Sequence, residues 1–131
     1  MQLPEIVKAV FESETFISMA TCSADGRPNI CNVGGKFLRS DGKIIVVDNY
    51  MDKTLKNILE NNEVALLVRK DRESYQIKGT ARYVTSGAEY DEAYKWMKAV
   101  GEKYPVKGAL IMEVLSVFNS MSGPDAGKRM A

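Results

Sequence analysis

Short apolar runs alternate with polar turns through most of this 131-residue chain. The runs are bounded by glycine, aspartate, asparagine and serine, a pattern typical of β-strands joined by tight turns. The predicted strands are 15–22, 28–38, 43–48, 64–69, 75–85 and 107–118, the second interrupted at a glycine pair. Helical spacing of apolar residues predicts helices over 3–13, over 53–61 and between Ser86 and Gly101.

This order of elements predicts a mainly β fold with peripheral helices. The strands are not separated by regular crossover helices, which argues against a doubly wound parallel sheet. Turn signals at Asp25-Gly26 and Asp41-Gly42 place hairpins close together, so we expect an antiparallel sheet or barrel. The length suits one domain over 1–131, divided into an N-terminal helix (1–14), a barrel with two inserted helices (15–118) and an irregular tail (119–131).

Three predicted strand segments, 44–47, 64–68 and 109–115, are apolar on both faces. In an antiparallel sheet this pattern means that both faces are covered. Three short helices can cover only part of the outer face. The sequence therefore predicts a homodimer in which a second copy covers the rest of a barrel wall.

Composition narrows the possible functions. The net charge is +1, so there is no general electrostatic case for a nucleic-acid or membrane partner. The chain contains no histidine, which excludes Ser-His and Cys-His catalysis, a zinc-binding histidine cluster and histidine-ligated haem. The N-terminus carries charges throughout, and no apolar run approaches the roughly 20 residues that cross a bilayer, so we expect a cytoplasmic protein.

The two cysteines, Cys22 and Cys31, flank the Asp25-Gly26 turn. A two-residue turn there would place Cys22 opposite Asn29 and make the two cysteines diagonal neighbours. Diagonal positions lie about 7–8 Å apart, which is too far for an unstrained disulfide. We therefore expect two reduced thiols without a redox role.

The segment Asp52-Lys53-Thr54 opens the second predicted helix. Asp52 can cap that helix, which places Lys53 and Thr54 in its first turn. Free backbone N–H groups and the helix dipole favour an anion there, and lysine and threonine add a charge and a hydroxyl donor. The segment predicts a phosphate site, although an ordinary capped surface helix has the same local sequence.

The segment Asn32-Val33-Gly34-Gly35-Lys36 contains the glycine pair. Bare backbone at Gly34 and Gly35 would let a planar ligand lie against it, and Lys36 could stabilise negative charge on that ligand. A β-bulge at a barrel corner is an equally good interpretation of the same glycines.

The order of five segments along the chain carries further information. They are FISMATCSADGRPNICNVGGKF, SDGKIIVVDN, MDKTLKN, VALLV and YQIKGTARYV. In this order they resemble the small flavin-binding split-barrel proteins of the pyridoxamine 5′-phosphate oxidase-like superfamily. The resemblance runs from about residue 5 to residue 118, and the tail motif SGPDAGK also recurs in small members. It implies a six-stranded antiparallel split β-barrel that forms a dimer with two FMN molecules at the interface.

The resemblance also implies which residues contact FMN. The Lys-Thr pair of such proteins binds the phosphate, the following asparagine supports that loop, and residues 32–36 pass the isoalloxazine ring. Residues 48–50 lie near the ribityl chain and ring, and the partner's final strand or tail completes the pocket. The implied FMN contacts are Asn32, Val33, Gly34, Gly35, Lys36, Asp48, Asn49, Tyr50, Lys53, Thr54 and Asn57.

The expected function is therefore that of an FMN-binding homodimeric oxidoreductase whose partner in electron transfer is a small molecule or a protein. No catalytic acid or base is evident, and no metal site is expected. True pyridoxamine-phosphate oxidases are longer and hold substrate with C-terminal arginine and histidine residues, so the vitamin B6 reaction is not expected. Three alternatives stay open: a non-catalytic FMN electron carrier, a reductase that uses the deazaflavin F420, and a cofactor-free interaction module built on the same barrel.

Overall fold

Strands dominate the computed structural model, which describes residues 1–131. In chain order the elements are α1 (Glu5–Ser13), β1 (Ile17–Cys22), β2 (Pro28–Val33), β3 (Lys36–Leu38), β4 (Ile44–Asp48), α2 (Lys53–Glu60), β5 (Glu63–Lys70), β6 (Glu73–Val84), α3 (Ala88–Val100) and β7 (Gly108–Asn119). The predicted mainly β fold with peripheral helices is confirmed. None of the three helices has the length and apolarity needed to span a bilayer.

All seven strands form one antiparallel sheet in the order β2-β1-β5-β6-β7-β4-β3. The two edge strands, β2 and β3, are consecutive in the chain, and only Gly34 and Gly35 separate them. The sheet must curl into a split barrel to bring its edges this close together. The sheet has seven strands rather than the six that the resemblance implies, because the interruption at the glycine pair divides segment 28–38 into two strands at opposite edges.

The concave side of the sheet holds the larger core. Met19, Leu66, Ile77 and Val117 occupy matching positions on β1, β5, β6 and β7, and all four are buried. Helix α1 closes this core with one apolar stripe, formed by Val7, Val10 and Phe11. The periodicity that predicted α1 therefore reflects its packing against the sheet.

Helix α3 covers part of the convex side. Its Ala93 and Met97 pack in a second core with Ile45 of β4 and Ile111 of β7. This packing explains why β4 and the first half of β7 are apolar on both faces. For these two strands the argument for a second copy is wrong, since α3 supplies the cover.

An outer wall remains on β2, β1 and β5, consisting of Ile30, Ala20, Ala65 and Leu67. Ala20 lies opposite both Ile30 and Ala65, and Leu67 follows on the same face of β5. Ile30 is 70% exposed and Leu67 is 38% exposed. The homodimer stays a prediction, and this wall is the surface on which it rests.

The β1–β2 hairpin has a longer turn than the sequence predicted. The N–H of Ser23 donates to Arg27 O at 3.0 Å, and Gly26 adopts φ +89, as in a three-residue turn. Cys22 consequently lies opposite Pro28 rather than Asn29. A shift of one residue reverses the facing of every side chain, so the two cysteines point to opposite faces of the hairpin. Both are free thiols, as predicted.

The tail after β7 folds back along that strand. Met130 N donates to Val117 O at 2.7 Å, and Val117 N donates to the carbonyl oxygen of Ala131 at 3.0 Å. Phe118 and Arg129 form an isolated antiparallel bridge. Residues 120–128 between them contain turns and no helix or strand, in agreement with the predicted irregular tail.

Candidate functional site

A cleft of about 560 Å³ opens where the two sheet edges meet. One side is formed by the end of β2 and the β2–β3 junction. The second side is the loop after β4 together with the first turn of α2. The third side is the C-terminal end of α3 and the loop that follows it. Three segments that are far apart in the sequence thus converge on one cavity.

Eight of the eleven residues predicted to contact a cofactor line this cleft. They are Asn32, Val33, Gly34, Gly35, Asn49, Tyr50, Lys53 and Thr54. The other three, Lys36, Asp48 and Asn57, lie outside it. The anion candidate and the glycine pair, which are separate in the sequence, therefore belong to one site.

The first turn of α2 faces the cleft with its hydrogen-bond donors free. No group of the chain accepts a hydrogen bond from the backbone N–H of Lys53, Thr54 or Leu55. Asp52 takes the N-cap position, as predicted, and its backbone oxygen accepts a hydrogen bond from Lys56 N, but its side chain makes no capping hydrogen bond. The ammonium of Lys53 is exposed and forms no ion pair. These donors and the helix dipole together make a site for an anion.

The Thr54 hydroxyl is held in place by a small polar network. Asn29 Nδ2 donates to Thr54 Oγ1 at 3.0 Å and to Thr21 Oγ1 at 3.1 Å. Asn57 Nδ2 donates to the same Thr21 oxygen at 3.0 Å, and Thr54 Oγ1 donates to Cys31 Sγ at 3.4 Å. Asn57 thus fastens α2 to the β1–β2 hairpin, outside the cleft. Asn29 was not predicted as part of the site, because the predicted register placed it opposite Cys22, whereas it lies opposite Thr21.

Packing within the chain leaves little room for a side chain at either glycine. A Cβ on Gly34 would lie 3.0 Å from Phe16 Cε1, and one on Gly35 would lie 2.8 Å from Met97 Sδ. Neither glycine has a positive φ, so close approach is the reason for them. Gly35 also accepts a hydrogen bond from Val47 N at 2.8 Å, which joins the β2–β3 junction to β4.

Lys36 is turned away from the cleft. Its ammonium donates to the carbonyl oxygens of Phe11 at 2.7 Å and Glu14 at 2.6 Å, at the C-terminal end of α1. Burial lowers the pKa of Lys36, while the charges of Glu12 and Glu14 oppose that shift. The predicted role of Lys36 in stabilising a bound ligand is therefore not supported by its position. A lysine at this end of a helix satisfies its last carbonyl groups instead.

Asp48 is also outside the cleft, where it supports the loop that lines it. Its carboxylate is fully buried and accepts hydrogen bonds from the Tyr83 hydroxyl at 2.6 Å and from Met51 N at 2.9 Å. Burial and this hydrogen bond raise the pKa of the Tyr83 phenol. The Tyr83 ring reaches Asp48 across Gly108, where any Cβ would meet the ring. The pair fixes the start of the loop 49–52.

The α3 side of the cleft is largely apolar. Met97, Val100 and Tyr104 line it there, and Phe16 lies against Gly34 at the β2–β3 junction. Lys53 and Asp52 supply the only charged side chains of the whole lining. Tyr104 was missed by the sequence analysis, which treated the stretch after α3 only as a helix stop. The cleft thus has an anion-binding end and an apolar end, which suits an elongated ligand with a planar ring and a phosphate.

Solved structures with the same fold carry different cofactors in their names. An FMN-binding protein from Syntrophomonas wolfei has a TM-score of 0.72 at 18% identity, covering 83% of this chain and 79% of that one. The heme storage protein HutZ from Vibrio cholerae has a TM-score of 0.68 at 15% identity, with coverages of 91% and 95%. An F420 reductase has a TM-score of 0.68 at 16% identity, with coverages of 88% and 98%. At these identities the likeness shows a shared fold.

Two proteins are more similar in sequence. An uncharacterized protein of Methanocaldococcus jannaschii is 41% identical over 130 residues, which are 97% of this chain and 86% of the relative. HupZ of Group A Streptococcus has a TM-score of 0.82 at 29% identity and covers 96% of this chain and 100% of that one. Residues 3–119 match the family model described as pyridoxamine 5′-phosphate oxidase. Because that match spans nearly the whole sequence, the chain belongs to the pyridoxamine 5′-phosphate oxidase family.

Proposed function

We propose that this protein is an FMN-binding homodimeric oxidoreductase. The observation that carries the proposal is the two-ended cleft, in which free donors at the start of α2 face an otherwise nearly uncharged cavity. FMN has the matching chemistry, with a phosphate at one end and a planar, largely apolar ring system at the other. Membership of the family and the fold shared with an FMN-binding protein support the same assignment.

Lys53 and Thr54 would hold the phosphate. A dianionic phosphate would accept hydrogen bonds from the free first-turn amides and gain the nearby ammonium charge. The Asn29 amide keeps the Thr54 oxygen at the cleft wall, so little side-chain freedom is lost on binding. The residues present therefore fit the group without rearrangement of α2.

The apolar end would receive the ring. Bound FMN would supply the redox chemistry, while the chain supplies binding, orientation and exclusion of water. No histidine is present, and Asp52 is the only carboxylate in the lining. Because the lining offers so few acid–base groups, we expect transfer of hydride or electrons in which no side chain of the chain accepts or donates the proton. It also argues against haem, which has no histidine ligand here.

The homodimer part of the proposal rests on the outer wall of Ile30, Ala20, Ala65 and Leu67. Ile30 belongs both to this wall and to the cleft lining. A second copy packed on the wall would therefore border the cleft and shield its apolar end from water. Formation of the dimer would therefore strengthen binding of the flavin ring in the cleft.

A second candidate is an F420-dependent reductase, and a neighbouring cavity favours it. A cleft of about 420 Å³ adjoins the first at Asn29 and Lys53, and no hydrophobic residue lines it. Arg27 and Lys56 contribute positive charge there, although Asp25 and Glu60 offset it. FMN ends at its phosphate and would leave this cleft empty, whereas the acidic tail of F420 would extend into it.

A titration with two flavins tests the proposed function. FMN is expected to bind about 100-fold more tightly than riboflavin, because charge-assisted hydrogen bonds to the phosphate are worth about 1.5–3 kcal/mol each. Equilibrium dialysis of the purified, ligand-free protein measures both constants. Equal affinities for the two flavins would contradict a phosphate site at α2.

A further inference from the structure

The loop after α3 carries an aromatic side chain into the cleft and is unusually well fixed. It is called here the 101–107 segment. Lys98 Nζ donates to the backbone oxygens of Glu102 at 2.9 Å and Tyr104 at 2.7 Å. The Tyr90 hydroxyl donates to Val106 O at 2.7 Å, and Val106 N donates to Asn49 Oδ1 at 3.1 Å. Side chains from α3 and from the opposite cleft wall therefore hold the segment from both sides.

The backbone of this segment is strained at one position. Val106 adopts φ +48 although it is β-branched and almost fully buried. That region is unfavourable for a β-branched residue, and such conformations persist only where the surroundings enforce them. The hydrogen bonds that Val106 makes with Tyr90 and Asn49 hold it in this conformation. Asn49, which accepts one of them, also lines the cleft.

One edge of the Tyr104 ring lies against Gly101. A Cβ on Gly101 would lie 2.8 Å from Tyr104 Cε2, so a larger residue there would push the ring out of its present position. The Tyr104 side chain is half-buried, and its hydroxyl makes no hydrogen bond within the chain. The other two aromatic residues of the lining, Phe16 and Tyr50, are mostly exposed at the rim. Tyr104 is thus the aromatic residue that the fold fixes at the cleft wall.

We propose that Tyr104 is a contact residue that packs against the isoalloxazine ring, and that Lys98 positions it. This inference rests on the proposed binding of FMN. Aromatic rings favour offset-stacked or edge-to-face contact, and the apolar end of the cleft leaves the ring of a ligand few other aromatic partners. The free hydroxyl would give the contact a polar edge.

Fluorescence of bound FMN tests the contact directly. A phenol in contact with an excited flavin quenches it by rapid electron transfer and return, whereas a phenyl ring does not. In Tyr104→Phe, we expect FMN affinity within about twofold of wild type and several-fold brighter fluorescence of the bound flavin. In Tyr104→Ala, loss of ring contact should weaken FMN binding about tenfold. Tyr94→Phe is the matched control, since Tyr94 is 43% exposed on α3 outside the cleft, and it should leave the fluorescence of bound FMN unchanged.

Lys98→Met tests positioning, since Lys98 does not line the cleft and the apolar part of its side chain is kept. Quenching intermediate between wild type and Tyr104→Phe is expected, and quenching equal to wild type would overturn the positioning role. Fluorescence that stays quenched in Tyr104→Phe, or that brightens equally in Tyr94→Phe, would overturn the Tyr104 contact while FMN binding stands. A wild-type protein that binds no FMN would instead remove the proposed function and this inference together.

Discussion

Replacing Lys53 and Thr54 together by alanine is expected to weaken FMN binding by about 100-fold or more. The double variant removes the one cation and the one fixed hydroxyl at the anion-binding end of the cleft. The fold should survive, because Lys53 is exposed and Asn29 keeps its second acceptor, Thr21 Oγ1, when the Thr54 hydroxyl is lost.

The measurement is a titration of wild type and double variant with FMN and with riboflavin, alongside thermal unfolding. Riboflavin lacks the phosphate, so its affinity should be the same for both proteins. Lys56→Ala is the matched control, since Lys56 lies on the same helix but outside the main cleft. Thr54→Ser, which keeps the hydroxyl, should retain most of the affinity. Unchanged FMN affinity in a folded double variant would contradict the proposal that Lys53 and Thr54 bind the phosphate.

The second large effect is expected at the outer wall. Leu67→Glu should convert the proposed dimer into a monomer, because it places a carboxylate where two copies would exclude water. The expected weakening of association is about 100-fold, measured by light scattering on a size-exclusion column across a range of concentrations. FMN affinity should fall as well, although Leu67 does not line the cleft.

A matched surface substitution separates this effect from a general loss of solubility. Leu59 on α2 is 68% exposed and lies outside the outer wall, so Leu59→Glu should leave the assembly intact. A wild-type protein that runs as a monomer at all concentrations would contradict the homodimer. A monomeric Leu67→Glu variant with full FMN affinity would show that each cleft is complete within one chain.

The strands were predictable because their side-chain pattern reports burial directly. β4 is buried at all five positions and β6 alternates, as their sequences indicate. The sequence did not reveal what covers an apolar face. Ile45 and Ile111 looked like interface residues, yet α3 covers them. That outcome depends on contacts between segments far apart in the chain, which local periodicity does not encode.

The register of the β1–β2 hairpin was predicted wrongly for a related reason. The Asp25-Gly26 pair correctly marked a turn, but its length follows from the φ of Gly26 and the Ser23–Arg27 pairing. One added turn residue was enough to move the two cysteines to opposite faces.

At the cleft, the parts that sequence could predict are those formed by contiguous residues. The first turn of α2 with Lys53 and Thr54 is such a part, and the structure brings it together with Gly34 and Gly35. Lys36 follows the glycines in sequence but points to α1. Tyr104 carries no local signal, because it reaches the cleft only through the packing of α3 against β4 and β7.

The most direct test of the central claim is an absorption spectrum of the freshly purified protein, with mass spectrometry of the ligand released by heat. We expect a yellow protein that releases FMN, about one per chain. Release of F420 would instead support the reductase that extends its ligand into the cleft lined by Arg27 and Lys56. A folded, colourless protein that binds no added FMN would contradict the proposal that the α2 cleft is a flavin site.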